Sequence, residues 1–250
     1  MRFLETVMGI PMSIDIRDEV DAAPAAERAF SVLREADQRF SRYLPDSEVS
    51  RANASGGRGI EHSADFREVV AIGEAAARSS GGAFRIRCAD GTWDLDGVVK
   101  GWAAARAAVV LTSAGLRDFC LNAGGDVAVS GSPGEGRPWS VGIRSPNDPE
   151  AMLAVLAVTD GAVATSGAYE RGEHIVDGRD GSTPRSLLSA TVVADDLTTA
   201  DVLATAVFAL GADGIPWALA SGARGVLALD ASGRLLGGGR LAFAQPAPAA

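Results

Sequence analysis

Apolar residues recur at helical spacing in the first half of the chain and in short runs in the second half. Residues 7–17 alternate between apolar and polar side chains, which predicts a strand. Phe30, Leu33 and Phe40 follow at helical spacing, so a helix is predicted after that strand. The polar residues 41–63 that come next predict a loop with a short turn.

Two further helices are predicted before the strands begin. The first contains Phe66 and Val69 and is closed by Gly81 and Gly82, and the second covers residues 97–114. Short strands are predicted at residues 119–121, 127–129, 140–143, 153–158, 162–164 and 190–193, before a helix at residues 199–210. The last forty residues repeat this pattern of strands and helix more weakly. Because long helices precede a run of strands without regular alternation, the predicted fold class is α+β.

The composition is that of a folded globular protein. With 250 residues, of which 47% are hydrophobic, the chain can bury a substantial core. We predict one domain of two lobes over residues 1–243. The terminal sequence AQPAPAA, residues 244–250, is predicted to be a disordered tail.

Charge narrows the possible partners. A net charge of −9 and a pI near 4.8 argue against a general affinity for nucleic acid or acidic membranes, which favour clustered basic residues. The first residues lack a long apolar core, and no run of 18 uncharged apolar residues occurs. We therefore expect a soluble, cytoplasmic protein without a membrane anchor.

Lysine is almost absent from the chain. Of 23 lysines and arginines, Lys100 alone is a lysine, and it lies in the run DLDGVVKGW at residues 94–102. A compact ammonium beside glycines at a helix start suits anionic oxygens, because glycine lets the backbone approach closely. A surface lysine closing a turn is the alternative, and the local sequence does not separate the two.

Asp201 and Thr205 lie four residues apart in the helix predicted at residues 199–210, so they share one face of it. A carboxylate and a hydroxyl are hard oxygen ligands that suit Mg²⁺, which usually keeps water or substrate in its remaining positions. The same residues are also compatible with an ordinary helix, since Asp in the first turn complements the helix dipole and Thr can bond back to its own helix.

His174 and Asp177 lie three residues apart, where a predicted strand runs into a turn. Such a pair could carry a proton from a hydroxyl nucleophile, although an Asp there is more often a turn former. Gly124 and Gly125 could let the backbone meet a phosphate or could form a plain hairpin turn.

Together, in their order along the chain, these stretches resemble one family, the ApbE-type flavin transferases or FAD:protein FMN transferases. The resemblance extends over residues 8–211. It rests on VMG near the start, FSRYLPDSEVSRAN, GAF, DLDGVVKGW, NAGGDV, ATSGAYER, HIVDGRDG and ADVLATAVFALG.

The resemblance implies an ApbE-like fold with mixed or antiparallel sheets and a ligand cleft between two lobes. It also implies transfer of FMN from FAD, with Mg²⁺, onto a threonine of a flavoprotein acceptor, with release of AMP. By the same resemblance, the metal would be held by Asp201, Thr205 and the carbonyl of Gly97. FAD would be contacted by Met8, Tyr43, Ala83, Phe84, Arg85, Asp94, Lys100 and Ile175. Catalysis would involve His174 and Asp177.

Several positions depart from the family pattern. Arg85 stands where an acidic residue is common, and the segment from there to Asp94 is short. Gly178 and Asp180 replace a common Pro and Thr, and Ala105 replaces a frequent Asp. Two other activities therefore stay open: hydrolysis of FAD to FMN and AMP, and flavin binding without turnover.

Overall fold

The structure is a computed structural model that describes residues 1–56, 61–148, 150–167 and 175–244. Its helices are α1 Ala23–Phe40, α2 Glu48–Ala54, α3 Ala64–Ser79, α4 Asp96–Ser113, α5 Leu197–Leu210 and α6 Gly214–Ala220. Its strands are β1 Arg2–Val7, β2 Ile10–Ile16, β3 Phe119–Ala123, β4 Asp126–Ser130, β5 Trp139–Arg144, β6 Met152–Val158, β7 Gly161–Gly167, β8 Leu187–Ala194, β9 Gly225–Asp230 and β10 Leu235–Gly239.

The described strands form one large sheet and one hairpin. Eight strands pair in the order β1-β2-β3-β4-β7-β8-β9-β10, and each neighbouring pair is antiparallel. β5 and β6 form a separate hairpin, and β6 also makes an isolated bridge between Leu156 and Phe243. The predicted α+β class is confirmed. Because strands from both halves of the chain share the large sheet, the two predicted lobes are joined through it.

Each face of the sheet covers its own hydrophobic cluster, because successive side chains of a strand point to opposite faces. On β4, Ala128 packs in the cluster that contains the helices, whereas Val127 and Val129 pack against the β5–β6 hairpin. The division into a domain at residues 1–243 and a tail stays a prediction. Ala244 donates a backbone hydrogen bond to Val155, and residues 245–250 lie outside the described residues.

Helices α4 and α5 cross in the centre of the helical layer, where Gly101 allows a close approach. A Cβ atom on Gly101 would lie 2.6 Å from the carbonyl oxygen of Leu197 and 2.7 Å from Cβ of Asp201. Residues Leu197–Ala220 are long and apolar enough to pass as a membrane span by composition, but 61% of their apolar window is buried inside the protein. We interpret this segment as the core of the fold.

Gly101→Ala tests this close approach. Alanine raises intrinsic helix propensity by about 1 kcal/mol over glycine. We nevertheless expect a loss of roughly 2 kcal/mol in the free energy of unfolding, because backbone atoms of α5 would have to move. Urea denaturation measures the change, and a gain in stability would contradict this packing.

Two elements near the N-terminus differ from those predicted from the sequence. The strand predicted over residues 7–17 is the second arm of a hairpin, in which Met8 and Gly9 form the turn with positive φ angles of 55° and 72°. The predicted loop at residues 41–63 contains α2. Ser47 caps this helix by accepting a hydrogen bond from the backbone N–H of Ser50.

Candidate active site

The single lysine lies between two buried carboxylates. Lys100, in the second turn of α4, forms ion pairs with Asp126 at the start of β4 and with Asp201 on α5. The Nζ atom lies 2.9 Å from Oδ2 of Asp201. The side chains of Lys100, Asp126 and Asp201 are 18%, 5% and 7% exposed. We call these three residues the Lys100 cluster.

Backbone donors hold both carboxylates of the Lys100 cluster. The N–H of Thr165 on β7 donates to Oδ1 of Asp126 at 2.9 Å, and the N–H of Gly101 donates to Oδ2 of Asp201 at 3.0 Å. Buried carboxylates are stable only when they are paired and hydrogen-bonded. The cluster therefore ties α4, α5, β4 and β7 together at one place.

Two hydroxyl groups lie on the same elements. Thr205, one turn along α5 from Asp201, has its Oγ1 atom 3.2 Å from Oγ of Ser166 on β7. Gly97 lies close by, since a Cβ atom on it would be 3.9 Å from Cγ2 of Thr205. Carboxylate, hydroxyl and backbone oxygens are the donors that Mg²⁺ prefers. The described residues contain no group of three or more His, Cys, Asp or Glu suited to a metal, so a metal here would need these mixed oxygens.

A central cavity of about 270 Å³ opens over this cluster. The predicted site residues among those lining it are Tyr43, Ala83, Phe84, Arg85, Asp94, Gly97, Lys100, Ile175, Asp201 and Thr205. An adjoining cavity of about 480 Å³ contains Met8 and shares Arg42, Tyr43, Asp96 and Lys100 with the central one. The fold thus brings the FAD and metal residues implied by the resemblance to one place.

A larger groove of about 1010 Å³ lies elsewhere, bordered by α3, α4 and α5. None of the predicted site residues lines it. Its wall is mainly apolar, and Lys100, Asp126 and Asp201 do not belong to it. We therefore place the candidate site in the two smaller cavities.

Asp177 is buried and follows Ile175 and Val176, which line the central cavity, but it does not line that cavity itself. Its carboxylate accepts hydrogen bonds from the Arg179 side chain, with Nε 2.9 Å from Oδ1 and Nη2 2.5 Å from Oδ2. These bonds lower the pKa of Asp177 below its usual range, against the opposing effect of burial. The side chain is therefore ionised at neutral pH. His174, the other predicted catalytic residue, lies outside the described residues.

The structure adds three residues that the sequence did not single out. Asp126 completes the Lys100 cluster, Ser166 contacts Thr205, and Arg42 lies on the boundary of the two cavities. The Nη1 atom of Arg42 is 3.5 Å from Asp94, and its Nη2 atom donates to Asp96 at 2.8 Å.

All three added residues occur in stretches that the sequence had marked, FSRYLPDSEVSRAN, NAGGDV and ATSGAYER. Only the tertiary contacts distinguish them from their neighbours. Tyr43, which had been predicted, is 88% exposed at the cavity mouth.

The family model described as ApbE family matches residues 8–93 and 89–229. The chain belongs to the ApbE family. An FAD:protein FMN transferase of Rhodobacter capsulatus is 38% identical over 151 residues, which are 57% of this chain and 29% of that protein. One from Escherichia coli K12 is 33% identical over 128 residues, 47% of this chain and 36% of its own length. The matched segments thus span about a third of these relatives.

Solved structures of the family share the fold over nearly the whole chain. The ApbE protein of Thermotoga maritima superposes with a TM-score of 0.82 at 21% identity, covering 94% of this chain and 96% of the other. The flavin transferase ApbE of Vibrio cholerae gives 0.81 at 20% identity, with 97% and 96% coverage. At this identity the likeness establishes the fold, and the predicted ApbE-like fold is confirmed.

Proposed function

We propose that this protein transfers FMN from FAD onto a threonine hydroxyl of a flavoprotein acceptor and releases AMP. The observation that carries the proposal is the buried Lys100 cluster beneath a cavity lined by the residues that the ApbE resemblance assigns to FAD and metal. The relatives named FAD:protein FMN transferase support the same reaction class.

FAD would occupy the two adjoining cavities, which together fall within the range of small-molecule sites, about 300–1,000 Å³. Met8, in the larger of the two, and Tyr43, at their boundary, offer apolar and aromatic surface for a flat ring. Residues 83–85, Asp94, Lys100 and Ile175 surround the smaller, more polar cavity, where we place the phosphates.

The residues that would hold Mg²⁺ are Asp201, Thr205 and the carbonyl of Gly97, and the oxygen donors gathered there fit this ion. When bound, Mg²⁺ would neutralise charge on the pyrophosphate. Lys100 adds one positive charge, but Asp126 and Asp201 already balance it. The cluster by itself is therefore net negative, which favours a cation beside it.

In the proposed reaction the threonine oxygen forms a bond to the FMN-side phosphorus. The bond from that phosphorus to the bridging oxygen breaks, and its electron pair leaves with AMP. The cavity walls position the phosphates for this exchange, and a base accepts the threonine proton.

Asp177 is a weak candidate for that base. Its lowered pKa and the hydrogen bonds that it accepts from the side chain and the backbone N–H of Arg179 make its carboxylate a poor proton acceptor. We propose instead that Asp177 and Arg179 fix the turn after Ile175. We therefore propose His174, the other residue that the resemblance assigns to catalysis, as the proton acceptor.

Transfer is tested by incubating the protein with FAD, Mg²⁺ and a candidate flavoprotein, and measuring the intact mass of the acceptor. We expect the acceptor to gain the mass of one FMN, with an equal amount of AMP released, and peptide mapping to place the flavin on threonine. An acceptor with its threonine on an exposed, extended segment is expected, since only such a segment can enter a cavity.

Steady AMP release without acceptor, and with no mass gain, would replace transfer by FAD hydrolysis. FAD binding without release of AMP would indicate a flavin-binding protein that lacks catalytic turnover. We further propose a cytoplasmic location for the acceptor, and in-gel flavin fluorescence of fractionated cells tests it.

A further inference from the structure

Among the residues that the structure describes, the cationic side chains lining the central cavity are Arg42, Arg85 and Lys100. Two of them are already neutralised by the chain itself. Lys100 pairs with Asp126 and Asp201, and Arg42 pairs with Asp94 and Asp96. A ligand anion would therefore gain little net electrostatic attraction from either Lys100 or Arg42.

Arg85 differs from both. It lines the cavity and is half-buried, and within the described part of the chain it makes no hydrogen bond or ion pair. Its backbone is held in place, because the N–H of Gly178 donates to the carbonyl of Ala83 at 2.9 Å. A Cβ atom on Gly178 would lie 3.0 Å from Cβ of Arg85, so the two segments are in close contact.

Arg87, two residues further along the same segment, has partners for its guanidinium group. Its guanidinium carbon lies 3.3 Å from the centre of the Trp93 ring, and its Nη1 atom donates to the carbonyl of Gly91 at 2.8 Å. Arg87 is exposed and does not line either cavity. Lack of a partner is therefore a property of Arg85 and not of the whole segment.

We propose that Arg85 binds the pyrophosphate oxygens of FAD and is the main uncompensated cation that this chain itself supplies to them. This inference rests on the proposed function. A guanidinium presents a planar fork of donors that matches two phosphate oxygens at once. Arg85 therefore brings to the cavity a positive charge that no carboxylate of the described residues neutralises.

Two consequences follow from this unneutralised charge. FAD should bind measurably without any divalent cation, since part of the phosphate charge is balanced by the protein. That binding should weaken as salt is raised, because an unpaired, half-buried cation is screened by ions.

The test is titration of FAD in EDTA at low salt, followed by flavin fluorescence, for wild type, Arg85→Gln, Arg85→Lys and Arg87→Gln. We expect Arg85→Gln to raise Kd by roughly 10- to 100-fold, as for loss of a charge-assisted hydrogen bond. The Kd of Arg85→Lys should lie between those of wild type and Arg85→Gln, because lysine keeps the charge but lacks the planar fork of guanidinium donors. Arg87→Gln, the matched control, should bind like wild type.

Equal Kd values for wild type and Arg85→Gln, with both folded by thermal melting, would overturn the proposal. So would an unchanged FAD Kd with a raised KM for the acceptor, which would assign Arg85 to an acceptor carboxylate. If wild type does not bind FAD at all, the proposed function fails separately. Titration with inorganic pyrophosphate then tests Arg85 independently of FAD. Pyrophosphate binding by wild type that is lost in Arg85→Gln would support Arg85 as an anion-binding residue. No pyrophosphate binding by wild type would overturn the proposal.

Discussion

Lys100→Met is expected to lower the free energy of unfolding by about 3 kcal/mol. It is also expected to weaken FAD binding, because the two carboxylates left without a cation would repel the pyrophosphate. Methionine has similar length and helix propensity but no charge. The change leaves Asp126 and Asp201 facing each other as buried carboxylates with no cation between them. Breaking a buried ion pair from one side is costly because the remaining charge is desolvated.

Urea denaturation and FAD titration measure the two effects. Arg106→Met is the matched control, since Arg106 lies on the same helix and pairs with Asp65 and Glu68. Its side chain is 45% exposed, so its loss should cost less than about 1 kcal/mol.

Mg²⁺ provides a further check on the lysine variant. A hard divalent cation should restore part of the stability lost in Lys100→Met, because it favours the folded state in which the two carboxylates meet. Unchanged stability and unchanged FAD affinity in Lys100→Met would show that the ion pairs of Lys100 support neither folding nor FAD binding, and would contradict the proposed role of the Lys100 cluster.

The sequence predicted the parts of this site that are local in the chain. Asp94, Gly97 and Lys100 fall within one short run, and helical spacing alone places Asp201 and Thr205 on one face of α5. These calls depend on periodicity and on the rarity of lysine, which a single sequence shows directly. The α+β class followed in the same way from long apolar helices and short strands.

The partners of these residues could not be predicted, because they are distant in sequence. Asp126 is 26 residues from Lys100, and Gly101 and Asp201 meet across 100 residues of chain. Asp126 and Ser166 have no local sequence signature. Asp126 follows two glycines like any hairpin residue, and Ser166 resembles any serine in a strand. The order of strands in the sheet places β4 beside β7, with β4 against α4 and β7 against α5.

Two elements were missed for a different reason, namely weak local patterns. In β1 one face is exposed, with Leu4 68% accessible, so its alternation does not distinguish it from a polar segment. Helix α2 has only seven residues, and its buried side chains are few, Glu48, Val49 and Ala52. Short helices of this kind depend on tertiary packing more than on propensity.

Asp201→Asn is expected to reduce Mg²⁺-dependent AMP release from FAD by at least about 100-fold. Asparagine keeps the shape of the side chain and an oxygen that can accept from the Gly101 N–H. It removes the negative charge that a hard cation requires. Lys100 keeps its pair with Asp126, so the loss of stability should be only about 1–2 kcal/mol.

Asp196→Asn is the matched control on the same helix. Asp196 caps α5 by accepting from the Thr199 N–H, and asparagine caps equally well. Thr205→Val should have a smaller effect than Asp201→Asn, since it removes one neutral ligand and its contact with Ser166. AMP release across a Mg²⁺ titration, with melting curves for each variant, separates metal binding from folding. If Asp201→Asn and Asp196→Asn show the same activity at every Mg²⁺ concentration, Asp201 serves only to anchor Lys100 and the start of α4, and the metal must be sought among other oxygens of the cavity.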